Sequence, residues 1–377
     1  MRISKPESIS AAALLAVSLF VCVFSGKEFL RMRQGEDIFP SDGLSVRRML
    51  SDYFPGLEKT PGDTDVFVYE GREQGGNVLI LGGTHPNEPS GYVAAVALIE
   101  NLKVARGKVI VIPRGNASGF THSDLQEGNP QGFTVTTQSG KRWFRLGARV
   151  SNPVHQWPDP AFYVNPSKQK LAGIESRNLN RCFPGREKGY LTEKVAFGIM
   201  ELIRKEKIDV GIDLHESSPE YPVINAIVFH ETSADLAALA QMELQGEGFD
   251  FRLEASPLNL KGLTHREWGD YAGIKAVLLE TPNVSQGRLK GKPSAALIVD
   301  GKDKNYAEAA RQGRLFIEYG KEGIPLASRI ARHLAAIEAL LSGLGELEPD
   351  KAVRLENIPP WADVQKYGLG RFLHPPK

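Results

Sequence analysis

A chain of 377 residues with 41% hydrophobic content is long enough to bury a sizeable core, and it reads as one principal domain. Lys+Arg 46 against Asp+Glu 45 leaves a net charge of +1, which excludes a global field for nucleic acid or an acidic polymer and favours a small polar or peptide substrate. The 2 cysteines, Cys22 and Cys182, cannot build a disulfide framework or a thiolate metal cluster, so any metal site must draw on histidine and carboxylate.

Residues 1–26 have the pattern of an export signal. Arg2 and Lys5 give a basic start, Ile9 to Phe24 are nearly all apolar, and Val23 and Ser25 stand three and one before a cut ahead of Gly26. The apolar run is slightly short for a membrane span of about 20 residues, which favours a cleaved signal peptide over an uncleaved anchor. Lipidation at Cys22 fits poorly after bulky Phe20 and Val21.

From Lys27 to Thr60 the pattern is mixed, with a short helix expected over Ser45 to Tyr53. Strands are expected over Asp65–Tyr69, Val78–Leu81 and Lys108–Pro113. A helix over Pro89–Leu102, with Pro at its start, lies between the last two. Strand, helix, strand at this spacing is a βαβ unit with a parallel pair and a right-handed crossover. Its first strand breaks at Gly82-Gly83 and presents His85 and Glu88. His-x-x-Glu alone says little, since about one of the 8 histidines would meet an acid three residues on by chance. The setting says more, because open α/β sheets keep ligand sites at the carboxyl ends of parallel strands.

Residues 116–176 are rich in Gly, Pro, Ser and Asn. So long a structureless loop is uncommon in a compact domain, so an elaborated insertion over an active site is expected, with short strands near Gly132–Thr137 and Arg142–Leu146. His122 and His155 lie in it without partners at metal-ligand spacing and read as surface or locally hydrogen-bonded residues. In Asn178–Gly185 (NLNRCFPG), Asn180 and Arg181 precede a Pro-Gly turn, either as a clamp for a substrate carboxylate or as plain surface residues. Cys182 reads as a small packing residue.

A helix is expected over Glu193–Lys205, a strand over Ile208–His215, a strand over Pro222–Phe229, and a helix over Ala234–Leu244. A further strand, Ala276–Leu279, ends at Glu280. Ile324–Leu341 has the apolar spacing of a core-covering helix, and 346–377 reads as an irregular tail with Pro pairs at 359 and 375. Neither an internal repeat nor a P-loop or dinucleotide fingerprint is present.

Three strands therefore end in polar residues: His85 with Glu88, His215, and Glu280. In a parallel sheet these ends share one edge. Two His and one Glu form a catalytic zinc set, with one ion per chain, that would polarise a carbonyl and acidify a water. Glu280 would take the water's proton and pass it to the leaving nitrogen, its pKa raised by the apolar strand it leaves.

GGTHPNE, NLNRCFPG, IDLHES and VLLETP, in this order over Val78 to Pro282, resemble the succinylglutamate desuccinylase/aspartoacylase family within the zinc carboxypeptidase-like hydrolases. The resemblance implies a mixed, mostly parallel α/β sheet flanked by helices. It implies His85, Glu88 and His215 as zinc ligands, Glu280 as general base, and Asn180 and Arg181 as binders of the substrate carboxylate. It also calls for an arginine that steadies the oxyanion, for which Arg177 is the nearest candidate, though at an unusual spacing. Asp213 shares the strand face of His215 and is either an orienting or a structural carboxylate. Pro86 and Asn178 depart from the family's more usual Gly and Asp, which bears on loop geometry rather than on the metal.

The expected organisation is a signal peptide or anchor (1–26), a hydrolase domain (27–345, core 64–342, insertion 116–176) and a tail (346–377). The expected function is zinc-dependent cleavage of an amide bond beside a free carboxylate, outside the cytoplasm and with membrane attachment through residues 9–24 as an option. An exported carboxypeptidase or amidase acting on peptides, such as cell-wall peptides, and a silent carboxylate-binding module are the alternatives. Because the insertion and the segment after Glu280 lie outside the family core, the namesakes' substrates do not transfer.

Overall fold

The computed structural model describes residues 5–124 and 128–374; Arg2 of the basic start and the Pro pair at 375 lie outside them. The strands are β1 Val46–Met49, β2 Asp65–Glu70, β3 Glu73–Leu81, β4 Lys103–Ile112, β5 Gly132–Thr137, β6 Gly140–Arg145, β7 Phe162–Val164, β8 Lys170–Ala172, β9 Val210–Ser217, β10 Ala226–Phe229, β11 Arg252–Ala255, β12 Lys275–Pro282 and β13 Arg354–Asn357. The helices are α1 Lys5–Arg31, α2 Pro89–Asn101, α3 Leu191–Lys205, α4 Ala234–Gly246, α5 Thr264–Ala272, α6 Ala295–Asp300, α7 Lys304–Arg311, α8 Leu326–Leu347 and α9 Trp361–Tyr367.

The main sheet runs β1-β2-β4-β3-β9-β12-β10-β11, with β13 added to β4. Its four central strands, β4, β3, β9 and β12, are mutually parallel, so their carboxyl ends face one edge. β2 is antiparallel to β4, and β10 is antiparallel to β12. The fold is thus the mixed, mostly parallel α/β sheet that the sequence predicts.

The central strands are apolar on both sides because both sides are covered. On one face Val78, Ile80, Ile212, Val277 and Leu279 pack under α2, α4 and α8. On the other, Leu79, Leu81 and Ala276 pack under α3 and α5. Helix α2 is buried from Pro89 to Glu100, wedged between sheet and α8, which suits a helix apolar on every side. Gly91 permits that approach: a Cβ there would collide with the Leu214 carbonyl oxygen, one residue before His215.

A buried ion pair ties this helical layer to the functional edge. Arg329 on α8 donates to Glu216 Oε1 at 2.6 Å, both side chains being fully buried. Glu216 Oε2 in turn accepts the Ser90 N–H at the start of α2 (2.9 Å).

Two expectations need correction. Residues 46–52 form β1 and a 3₁₀ turn, not a helix, because pairing of Val46–Met49 with Asp65–Val68 satisfies the backbone along a sheet edge. Over its described residues the tail is folded onto the domain: β13 extends the sheet, Trp361 packs edge-on to Phe249 with centroids 4.8 Å apart, and Leu369 and Leu373 join the core. The apolar run lies within an N-terminal helix that continues past it through Gly26 to Arg31. Ser8–Arg31 makes 24 residues, with an 18-residue window of mean hydropathy 2.3, none of it buried, long and apolar enough to cross a membrane of roughly 30 Å, as a signal sequence also is.

Arg329→Ala would leave Glu216 buried without its counter-charge. The expected loss is about 3–5 kcal/mol of unfolding free energy, seen as a lowered urea midpoint. A change below about 1 kcal/mol would mean that the pair is solvated.

Candidate functional site

The loop leaving β3 is bent so that its side chains meet. Gly83 has φ +66, a left-handed conformation, and a Cβ there would lie 2.8 Å from the Pro113 carbonyl oxygen. The Glu88 N–H donates to the His85 carbonyl at 3.0 Å, which closes the turn. His85 Nδ1 then lies 2.8 Å from Glu88 Oε1. Glu88 directly precedes α2, and its Oε2 lies 3.0 Å from His215 Nδ1 on β9 while accepting the Glu216 N–H at 3.0 Å. One ligand atom from each of the buried residues His85, Glu88 and His215 lies within 4.8 Å of the others.

The outer nitrogens of both rings are held as well. His85 Nε2–H donates to Asn178 Oδ1 at 2.9 Å, and His215 Nε2–H donates to Asp213 Oδ2 at 2.8 Å. Asp213 is fixed by the hydroxyls of Thr84 (2.8 Å) and Thr264 (2.7 Å). With Nε2 directed outward, Nδ1 of both rings faces the Glu88 carboxylate. A cation, either a proton or a metal ion, joins such electron-pair donors, and in the metal-free site a proton on His215 does so. Two imidazoles and a carboxylate, buried and braced from behind, fit a borderline divalent ion such as zinc. Asn178 thus touches a candidate ligand, which corrects its reading as a loop-geometry residue alone.

The charges of the group are interdependent. Burial opposes ionisation of Glu88, yet His85 and His215 hold its carboxyl well below the ordinary value. Burial, with Arg149 and His215 adding to it, lowers His85 to about 4 against the pull of Glu88. Burial would also lower His215, but Asp213 and Glu88 hold it well above the ordinary imidazole value.

Glu280 stands on β12 directly opposite His215 on β9, and it lines the same cavity of about 480 Å³. Its Oε2 is buried without a hydrogen-bond partner among the described residues. Burial first, then Glu88 and Asp213, push its pKa up to about 8 against His215 and Arg149. Asn180 and Arg181 line this cavity too. Asn180 Oδ1 accepts the Thr264 N–H at 2.9 Å, which leaves its side-chain amide nitrogen unpaired among the described residues. Arg181 donates through Nη1 to its neighbour's carbonyl at 2.6 Å and has only a 4.0 Å contact with Glu175.

Arg177 does not join them. Its Nε and Nη2 clasp both Asp159 oxygens (2.7 and 2.8 Å), and Nη1 donates to the Ser151 carbonyl (2.8 Å). Asp159, within the insertion, captures the guanidinium that the sequence offered for the cavity. The arginine that lines it beside Arg181 is Arg149, also from the insertion, with Nη1 2.9 Å from Glu88 Oε1. No motif surrounds Arg149, and only the folded insertion reveals it. His265 on α5 was likewise missed. It lines the cavity with Nδ1 2.7 Å from Ser256 Oγ, and burial lowers its pKa to about 3. The rest of the insertion covers less than expected, since the β5–β6 hairpin packs against α6. His155 meets Ser118 Oγ at 2.9 Å, a local hydrogen bond, and Cys182 is buried with its thiol pKa pushed up by that burial.

Comparison with protein-family models and with curated proteins gives no match. Among solved structures the chain is similar to a succinylglutamate desuccinylase/aspartoacylase from Rhodobacter sphaeroides, at 20% identity, with 58% of this chain and 51% of that one covered and a TM-score of 0.37. It is similar to the product-bound ectoine utilization protein EutE (DoeB) from Ruegeria pomeroyi, at 19% identity, 58% and 53% coverage and a TM-score of 0.37. It is also similar to the tripeptide-bound cell shape determinant Csd4 from Helicobacter pylori, at 15% identity, 81% and 59% coverage and a TM-score of 0.47. The chain thus spans between 51% and 59% of the length of these structures.

The Glu280 shift has a consequence for stability. A carboxyl whose pKa moves from 4.5 to about 8 on folding keeps a proton that the unfolded chain releases, so the metal-free fold loses stability as pH rises through that window. Glu280→Gln cannot ionise and is expected to flatten the slope, read from urea midpoints of chelator-treated protein at about pH 5 and about pH 8. Equal slopes in variant and parent would place Glu280 in solvent.

Proposed function

We propose that this chain is a zinc-dependent hydrolase of the succinylglutamate desuccinylase/aspartoacylase type, cleaving an amide bond next to a free carboxylate. The observation that carries the reading is the convergence of His85, Glu88 and His215 in one cavity with the unpartnered Glu280 carboxyl and two arginines. Zinc held by the triad supplies Lewis-acid polarisation of the scissile carbonyl and a more acidic water.

The protein's own groups divide the remaining work. Arg181 and Asn180 hold the substrate carboxylate, Arg181 through a guanidinium with free donors and Asn180 through its unpaired amide nitrogen. Glu280 takes a proton from the attacking water, whose oxygen bonds to the acyl carbon. The C–N bond then breaks and Glu280 returns that proton to the departing amine, so the products are a carboxylic acid and an amino acid or shortened peptide. Its unpartnered oxygen faces no competing donor when it takes the proton, and the burial that raises its pKa favours the protonated form that serves the second half. Arg149 takes the place expected for Arg177: it reaches Glu88 and faces the cavity, where it stabilises the negative oxygen that develops on the acyl group. His265, kept neutral by burial, adds a hydrogen bond rather than a charge.

The proposal also places the domain outside the cytoplasm, with α1 retained as a tether. The helix runs unbroken through Gly26, and the residues after it are built into the domain. Arg145 Nε donates to the Met32 carbonyl at 2.9 Å, and Glu36 pairs with Arg114 at 2.8 Å.

Metal content of the full-length chain in detergent tests the site. About one zinc per chain is expected, lost in His215→Ala and kept in Glu280→Gln, whose turnover of N-acyl amino acids should fall about 10²- to 10⁴-fold. A folded protein that takes up no zinc would overturn the mechanism, and one that binds zinc but hydrolyses nothing would be a carboxylate-binding module. Arg149→Ala should lower kcat about 10²-fold or more, whereas Arg177→Ala should act on stability and leave kcat within a few-fold. The reverse pattern would restore Arg177 to the site.

A further inference from the structure

The cavity beside the triad has two charged ends. Arg149, paired with Glu88, and Arg181 line it, and Glu254 on β11 lines it as well, yet among the described residues no ion pair links Glu254 to either arginine. Strand register explains the separation. Asp213, Leu278, Val228 and Glu254 are successive partners across β9, β12, β10 and β11, a straight row whose side chains leave the same face of the sheet. His215 and Glu280 stand on that face two residues further along their strands. Leu278 and Val228 therefore form an apolar floor running from the catalytic carboxyl to Glu254, walled by Val223, Leu260 and Leu263. Two strand spacings, roughly 10 Å, separate the backbones at Leu278 and Glu254.

Glu254 is half-buried, and its carboxylate makes no hydrogen bond or ion pair among the described residues. A carboxylate beside apolar walls gains most from a cation delivered to it. The stem of a lysine-like side chain lies well on apolar surface while its head keeps a charge.

We propose that Glu254 is the specificity-determining residue of this cavity, receiving the cationic end of the substrate's side chain. The preferred substrate is then an acylated amino acid, or the C-terminal residue of a peptide, with a free carboxylate on Arg181 and an amine or guanidine at the end of a short aliphatic stem. The inference rests on the hydrolase reading and departs from the acidic amino acids in the family's name, which Glu254 would repel.

The test is turnover by the zinc-loaded full-length chain of Nα-acetyl-lysine, Nα-acetyl-norleucine and Nα-acetyl-glutamate, and of alanyl dipeptides ending in the same three residues. Lysine should exceed norleucine by about tenfold or more in kcat/KM, with glutamate lowest. Glu254→Gln should erase the lysine advantage while leaving norleucine turnover within about twofold, and free lysine should compete better than free norleucine in the parent but not in the variant. Turnover in which norleucine equals lysine, or a preference unchanged in Glu254→Gln, overturns the role of Glu254 and leaves amide hydrolysis standing. No turnover of any of the six by folded, zinc-loaded protein overturns the hydrolase reading itself, and this inference with it.

Discussion

The constraint on which the rest depends is the burial of the Glu88 carboxylate. A charge in so dry a place must be surrounded by partners, and each of its oxygens has at least two. Oε1 meets His85 Nδ1 and Arg149 Nη1; Oε2 meets His215 Nδ1 and the Glu216 N–H. Those partners come from the β3–α2 turn, from the insertion and from β9. Satisfying one carboxylate therefore fixes three segments that are distant in sequence.

That fixation extends outward by the same logic. Glu216 follows His215, so its side chain leaves the opposite face of β9, where Arg329 and the start of α2 neutralise it. On the functional face Asp213 holds His215 and is itself held by two threonines. Each candidate ligand thus sits between a partner in the cavity and a partner behind it. The large apolar layers explain how such a network is tolerated: α2 and α8 on one side and α3 and α5 on the other exclude water from everything but the cavity.

What the sequence made legible follows from how local each signal is. Apolar runs broken by glycine or ended by a charge mark buried strands, so β3, β9 and β12, with His85, Glu88, His215 and Glu280, could be read before the fold was known. Residues 46–52 could not, because their strand exists only through pairing with β2. Nor could the choice between Arg177 and Arg149, which depends on whether Asp159 lies near enough to take a guanidinium first. Glu254 is one of 45 acids in the chain, and only its register across β10 and β12 relates it to the site.

Two carboxyl groups of one cavity titrate in opposite directions. Glu88 lies between two imidazoles and beside an arginine, and they hold it ionised at any ordinary pH. Glu280 leaves an apolar strand with one oxygen unpartnered and keeps its proton to about 8. Environments that drive like groups apart divide their labour: the permanently ionised carboxylate suits a cation, and the one poised near neutrality suits a proton in transit. The division is built by the sheet, because the parallel neighbours β9 and β12 place His215 level with Glu280, while the tight turn after β3 brings Glu88 to His215 from the other side. A one-residue slip of β12 would send Glu280 to the opposite face and leave the cavity with Glu88 alone, so the apolar packing that fixes strand register also fixes which acid does which task.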